Sequence, residues 1–164
     1  MTDCLDKKQF ASALPALRKV TEQPVAKVSP TPSVIEDVSL KLRDVNENTQ
    51  DYWPTVLQFI QFASAGLSLD VPPPGDPNLL VSYSRGMRFG TVSRKIVLLD
   101  GSDIVDTRFE HCRIIFTKNP TPLRNVVFVD SVFEFPISDH PVPYIQKAAR
   151  VLLASDLKSV SANL

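Results

Sequence analysis

Along this chain the apolar residues pass from a helical spacing to a spacing of five and back again. At the start, Leu5, Phe10, Leu14, Leu17 and Val20 fit a helical region over residues 1–23, which Pro15 breaks or restarts. Val34, Ile35, Val38 and Leu42 share one helical face, and Ser33 with Glu36 makes a capping-box signature, so a helix is predicted over 33–44. In DYWPTVLQFIQFASAG, Val56, Leu57, Phe59, Ile60, Phe62 and Ala63 cover most of the circumference, and only Gln58 and Gln61 mark a polar side. Pro54 suits the first turn of that helix and Gly66 its end. A helix so apolar is buried in a core or is half of an interface. Near the other terminus, Ile145, Ala148, Ala149, Leu152 and Leu153 form an i, i+3, i+4, i+7, i+8 stripe, which predicts a helix over 144–155.

Prolines separate these blocks. PVAKVSPTP, residues 24–32, is an extended connector. Further on, Pro72, Pro73 and Pro74 run together before Gly75 and Pro77, which marks a boundary between a helical part and a β part. The organisation predicted is a helical region over 1–66, a Pro-rich linker over 67–86, a β region over 87–138, and a C-terminal helix and tail over 139–164.

The β region carries an internal repeat. When 102–116, SDIVDTRFEHCRIIF, is set above 121–135, TPLRNVVFVDSVFEF, Ile104, Phe109 and Ile114 fall over Leu123, Phe128 and Phe133. Two residues before each of these comes a smaller one: Ser102, Thr107 and Cys112, then Thr121, Val126 and Ser131. The pentad VLLDG just upstream extends the frame with Val97 and Leu99. A helix repeats at 3.6 and a strand at 2. A period of five instead makes one flat side and one corner of a coil, with the small and large residues inward. Coils of this kind cannot bury their own faces and must stack.

The pattern resembles the pentapeptide-repeat family of right-handed quadrilateral β-helices, whose pentads place a small residue, an Asp or Asn, a Leu or Phe and two polar residues. SDIVD, TRFEH, CRIIF, VVFVD and SVFEF match the small and large positions, and Ser102–Asp103–Ile104 alone keeps the acidic second position. The resemblance covers roughly 87–135. Met87 and Phe89 fit one further pentad, Arg94 does not suit an inward centre, and TKNP, 117–120, falls one residue short. These departures leave a generic short parallel β-helix as the alternative. The chain is also similar to uncharacterised bacterial proteins that join a helical N-terminus to a small solenoid. What the resemblance implies is a fold, because the family is functionally diverse.

Composition narrows the function classes. Lys plus Arg equals Asp plus Glu, 18 against 18, so no general attraction to nucleic acid or anionic lipid is expected, and a long acidic DNA-mimicking rod is excluded. The basic residues Arg85, Arg88, Arg94, Lys95, Arg108, Arg113 and Arg124 are interspersed with acids rather than with aromatics. No apolar stretch reaches a membrane span. Two distant cysteines, Cys4 and Cys112, build no disulfide framework, which points to a cytoplasmic setting, with a membrane anchor outside this sequence left open.

Candidate chemistry is thin. His111 and Asp130 share an outward repeat position and would be neighbours in adjacent coils, as a base and its orienting acid or as a surface ion pair. His111 and Cys112 are adjacent in a strand and point to opposite faces, so no metal site is expected and Cys112 reads as core. Asp100, Asp103 and Asp106 lack calcium-loop spacing. No cofactor is expected. Phe116 and Phe135, each last in its pentad, should stack on an outer corner beside Ile115, with Val127, Val129 and Val132 also outward. Such a strip is either an interface or is covered by the chain's own helices.

The reading is an α+β protein with N-terminal helices, a right-handed parallel β-solenoid of about two coils and a C-terminal capping helix. Its expected role is a non-enzymatic interaction or assembly module that uses a protein partner or self-association. The alternative is an enzyme or small-ligand protein with a site between solenoid and helices.

Overall fold

The computed structural model describes residues 10–22, 30–68 and 70–164; Leu5 and most of the first connector lie outside them. Three helices come first: α1 (Leu14–Thr21), α2 (Pro32–Asp44) and α3 (Tyr52–Leu67). Pro15 sits in the first turn of α1, where a missing N–H costs nothing, so it starts the helix. α2 is capped two residues earlier than the capping box suggests. Thr31, not Ser33, is the N-cap; its hydroxyl accepts from the Val34 N–H at 3.4 Å, because Pro32 is ideally placed at the first helical position. Ile35 and Leu42 are buried as predicted, whereas Val34 is exposed. α3 is buried almost all round, from Tyr52 to Ser64, which makes it the central helix of the core.

Strands β1 (Leu80–Ser82), β2 (Met87–Ser93), β3 (Ile96–Leu99), β4 (Ile104–Glu110), β5 (Arg113–Phe116), β6 (Leu123–Arg124), β7 (Val126–Val129) and β8 (Val132–Glu134) coil into a parallel β-solenoid of about three turns. One sheet has the order β1-β3-β5-β8; the other has β2-β4-β7, with β6 also on β4. β1 lies inside the stretch read as linker. The expected stacking register is present: Ile104 lies beside Leu123, Phe109 beside Phe128 and Ile114 beside Phe133. All six are buried, and the Phe109 and Phe128 rings stack at 5.4 Å.

The small inward residues have a specific task at the corners. Thr107 Oγ1 donates to Val105 O at 2.9 Å, Cys112 Sγ to Glu110 O at 3.3 Å, and Ser131 Oγ to Val129 O at 3.0 Å. Each bond spans one residue with positive φ: Asp106, His111 and Asp130. A short donor two residues on holds the carbonyl at the bend, and the residue between turns left-handed, which Asp, Asn and His tolerate best. This is the local origin of the period of five.

The count of about two coils is corrected to about three. The extra coil, β1 to β3, lacks the small–large pentad. It steps to the next coil by pairing Met87 with Ile104 and Val97 with Ile114. Val97 thus holds a large position, and Leu99 lies beside Phe116, so the VLLDG frame is shifted although both residues are buried. Phe89 is not inward but a corner. Gly86 ends the turn from Tyr83 into β2 with φ +80°, and a Cβ there would meet Asp103 O at 2.5 Å, so only glycine fits.

The chain closes with α4 (Pro143–Leu153) and β9 (Ser159–Ala162). Ile145, Ala148, Ala149, Leu152 and Leu153 are all buried, as the stripe predicts. α4 packs on α3. Its Arg150 grips Glu47 through two bonds of 2.7 and 2.6 Å and lies 5.4 Å over the Trp53 ring. Helices and solenoid share one hydrophobic core.

Candidate functional site

A solenoid has two terminal coils, and each exposes unpaired strand edges unless something covers them. At the end formed by β7 and β8, this chain covers both. β9 pairs antiparallel with β7, Val126 beside Ala162 and Val129 beside Ser159. Leu123 and Leu164 then exchange two backbone bonds around the corner, at 3.1 and 2.9 Å. Along β8 the cap is made by side chains of α3 and the residue after it. Gln61 Oε1 accepts the Phe135 N–H at 2.6 Å, Ser64 Oγ accepts the Phe133 N–H at 3.1 Å, and the Ser68 hydroxyl donates to Ser131 O at 3.3 Å. Gln61, Ser64 and Ser68 are spaced i, i+3, i+7, a narrow polar stripe on an apolar helix. That stripe was the available signal, because such a face must meet hydrogen-bonding groups.

The opposite end is different. Among the described residues no strand pairs the outer edge of β1 or of β2. Arg94 donates its N–H to Glu110 O, so the alternation of peptide groups along β2 turns those of Thr91 and Ser93 toward the free side. Val81, Tyr83 and Met87 are only partly buried against the core at this end. Leu80 is 48% exposed and Phe89 78%. Phe89 has φ +54° at the corner where the next coils carry Asp106 and Asn125. A bulky residue held left-handed costs roughly 1–2 kcal/mol, and its ring here gains almost no burial in return. The ring borders a shallow groove of about 500 Å³ on the outer sheet face, with Thr91, Arg108, Asn125 and Val127 along it.

The open coil is also electrically distinct. Residues 77–99 contain Arg85, Arg88, Arg94 and Lys95 and no acidic residue. Arg94 is paired with Asp70 at 2.5 Å, which holds the Asp70 carboxyl below its ordinary range, and Arg88 reaches Asp103 only at 3.8 Å. Arg85 and Lys95 have no ion pair among the described residues. This local excess was hidden by the zero net charge of the whole chain.

Of the strip expected either to form an interface or to lie under the chain's own helices, the Phe116–Phe135 corner lies under the helices. Phe116 and Phe135 do stack, at 4.8 Å, but they are 2% and 7% exposed. α4 brings the Tyr144 ring to 6.2 Å from Phe116, and α3 binds the Phe135 N–H, so the chain's own helices cover this corner. Val132 is buried as well, while Ile115, Val127 and Val129 are half-buried. α4 therefore covers the Phe116–Phe135 corner, and β9 and α3 close the terminal coil.

His111 and Asp130 share the corner column, but no hydrogen bond or ion pair joins their side chains. Their shared property is positive φ, a backbone requirement of the bend. His111 Nδ1 is shut from solvent without a partner. Cys112 is fully buried, and burial pushes its thiol up, away from a reactive thiolate. The three aspartates have separate partners: Asp100 takes Thr117 and Asn119, Asp103 takes Arg124, and Asp106 takes Asn125. No group of three or more His, Cys, Asp or Glu converges among the described residues, and no helix there is long and apolar enough to cross a membrane. A polar cleft of about 540 Å³ lies between α1, the start of α3 and His140, but its charges answer one another, Arg18 with Asp51 at 3.3 Å. His111 and Asp130 do not line it.

Comparison with family models, with curated proteins and with solved structures finds no match to this chain. The parallel solenoid stands on its own geometry, without a family to fix its role.

Proposed function

We propose that this protein is a non-enzymatic interaction module and that its working surface is the open end of the solenoid, the outer edges of β1 and β2. The observation that carries this reading is the asymmetry of the two ends. One is closed by a strand and by three side chains of a helix and its flank. The other has, among the described residues, no strand on its edge, and it carries half-covered core residues and the exposed Phe89 ring. Unpaired edges invite strand addition, and natural sequences usually blunt them. A strained, exposed aromatic at such an edge is what a contact residue looks like.

A photo-crosslinking amino acid placed at position 89 and, separately, at position 161 of the whole chain tests this. Adducts are expected from position 89, none from 161, and Thr91→Pro should abolish them. Adducts from 161, or adducts from 89 that ignore Thr91→Pro, would contradict the reading.

A further inference from the structure

Resting on the open-end reading, we infer that the occupant of this edge is an extended, acidic peptide segment of a partner protein, added as a strand along Gly90–Ser93 of β2. Two features select it. The first is hydrogen bonding. Thr91 and Ser93 present both N–H and C=O to the free side, and only another peptide backbone satisfies that alternation. The chain itself shows the solution at its other end, where β9 lies antiparallel on β7 with Val160 and Ala162 turned inward and Ser159 and Ser161 outward. An incoming strand at β2 would likewise set alternate apolar residues beside the buried Val92 and over Met87, which the present end leaves only half-buried.

The second feature is charge. The open coil carries four basic residues and no acid, and Arg85 and Lys95 have no counter-ion among the described residues. A strand bearing carboxylates on its outward positions supplies them. A second copy docked end to end would instead bring the unpaired Arg85 and Lys95 against the same two cations. A single-stranded nucleic acid would satisfy the charge and could stack on Phe89, but it offers no alternating donors and acceptors to Thr91 and Ser93. The acidic peptide is the occupant that meets both demands.

The test is fluorescence anisotropy of the whole chain with three labelled probes: a peptide of alternating Glu and Val, one of alternating Lys and Val, and an oligothymidylate. The Glu–Val peptide should bind at least about tenfold tighter than either of the others. Thr91→Pro removes one outward N–H and no internal ladder bond, and it should weaken binding about tenfold. Arg85→Glu with Lys95→Glu, which leaves the ladder untouched, should do the same if the proline variant misfolds. Preference for the oligonucleotide, or a dimer in sedimentation that either variant dissolves, would overturn the acidic-peptide inference while leaving the open end as the docking surface. Glu–Val binding that neither variant changes would overturn both.

Discussion

The two ends of this solenoid face the same physical problem and answer it differently. Where β7 and β8 end the stack, every edge is met from within the chain: β9 completes one sheet, and Gln61, Ser64 and Ser68 complete the other. Where β1 and β2 begin it, no strand among the described residues pairs the edges, Arg85 and Lys95 have no ion pair among those residues, and the corner residue is a strained Phe rather than the Asp or Asn found in the same column of the next coils. On the proposed reading, the difference separates stability and recognition along one axis. Burial and hydrogen-bond satisfaction concentrate at the closed end. Strand backbone that no described residue pairs lies at the open end, where a partner can complete it.

Perturbing each end in turn sharpens this contrast. Removing residues 157–164 uncovers the β7 edge and exposes the sites of Leu157 and Val160, both buried. At about 1.5–3 kcal/mol for each, the truncation should cost about 3–6 kcal/mol in chemical denaturation and promote aggregation. Phe128→Ala, in the middle of the ring stack with Phe109 and Phe133, should cost about 3–5 kcal/mol by the same measurement. Gln61→Leu keeps the bulk of the α3 side chain but strands the buried Phe135 N–H, for a loss of about 1–3 kcal/mol. At the open end the sign reverses. Phe89→Asn relieves the left-handed corner and should leave stability unchanged or raise it by up to about 1 kcal/mol, while removing the crosslinks and weakening the acidic peptide.

The tyrosines give a pH-dependent version of the comparison. Burial pushes Tyr52 and Tyr144 up to about 12, from an ordinary value near 10. Both belong to the helical layer that covers the core. A raised folded-state value means that the stabilisation is complete below pH 10 and is lost as pH climbs from about 10 to 12, because the unfolded phenols ionise first. Absorbance titration should therefore show the phenolate signal appearing together with loss of helix. Titration of all three tyrosines near pH 10 with the fold intact would show that the helical layer is looser than described.

How far the fold could be read from sequence follows from where local chemistry dominates. The stacking of Phe109 on Phe128 and of Ile114 beside Phe133 was legible because the corner device, a short donor two residues after the carbonyl it holds across each bend, imposes the period of five at Thr107, Cys112 and Ser131. The α4 stripe was legible because an amphipathic helix states its own buried face. The first coil was not, because its corners at Phe89 and Arg94 lack that device and its pairing is set by the coil above it. Phe116 and Phe135 were placed outside because a pentad describes only the coil; the helices that bury them come from elsewhere in the chain. β9, a run of SVSA, is too short and too small to announce itself, and it forms because β7 offers it a ladder. The open end escaped notice for a related reason. Whole-chain charge averages to zero, and the acid-free run over 77–99 gains meaning only once the fold places it in one coil at an end of the stack.

The most direct measurement is residue-resolved amide hydrogen exchange of the whole chain, unliganded and dilute. The amides of Thr91 and Ser93 should exchange close to the rate of an unstructured peptide, while those of Phe133 and Phe135, bonded to Ser64 and Gln61, exchange only through opening of the closed end and are slowed by several orders of magnitude. Protection of Thr91 and Ser93 equal to that of Phe133 would mean that the edge of β2 is covered by the protein itself, and the account of an open, partner-seeking end would be wrong.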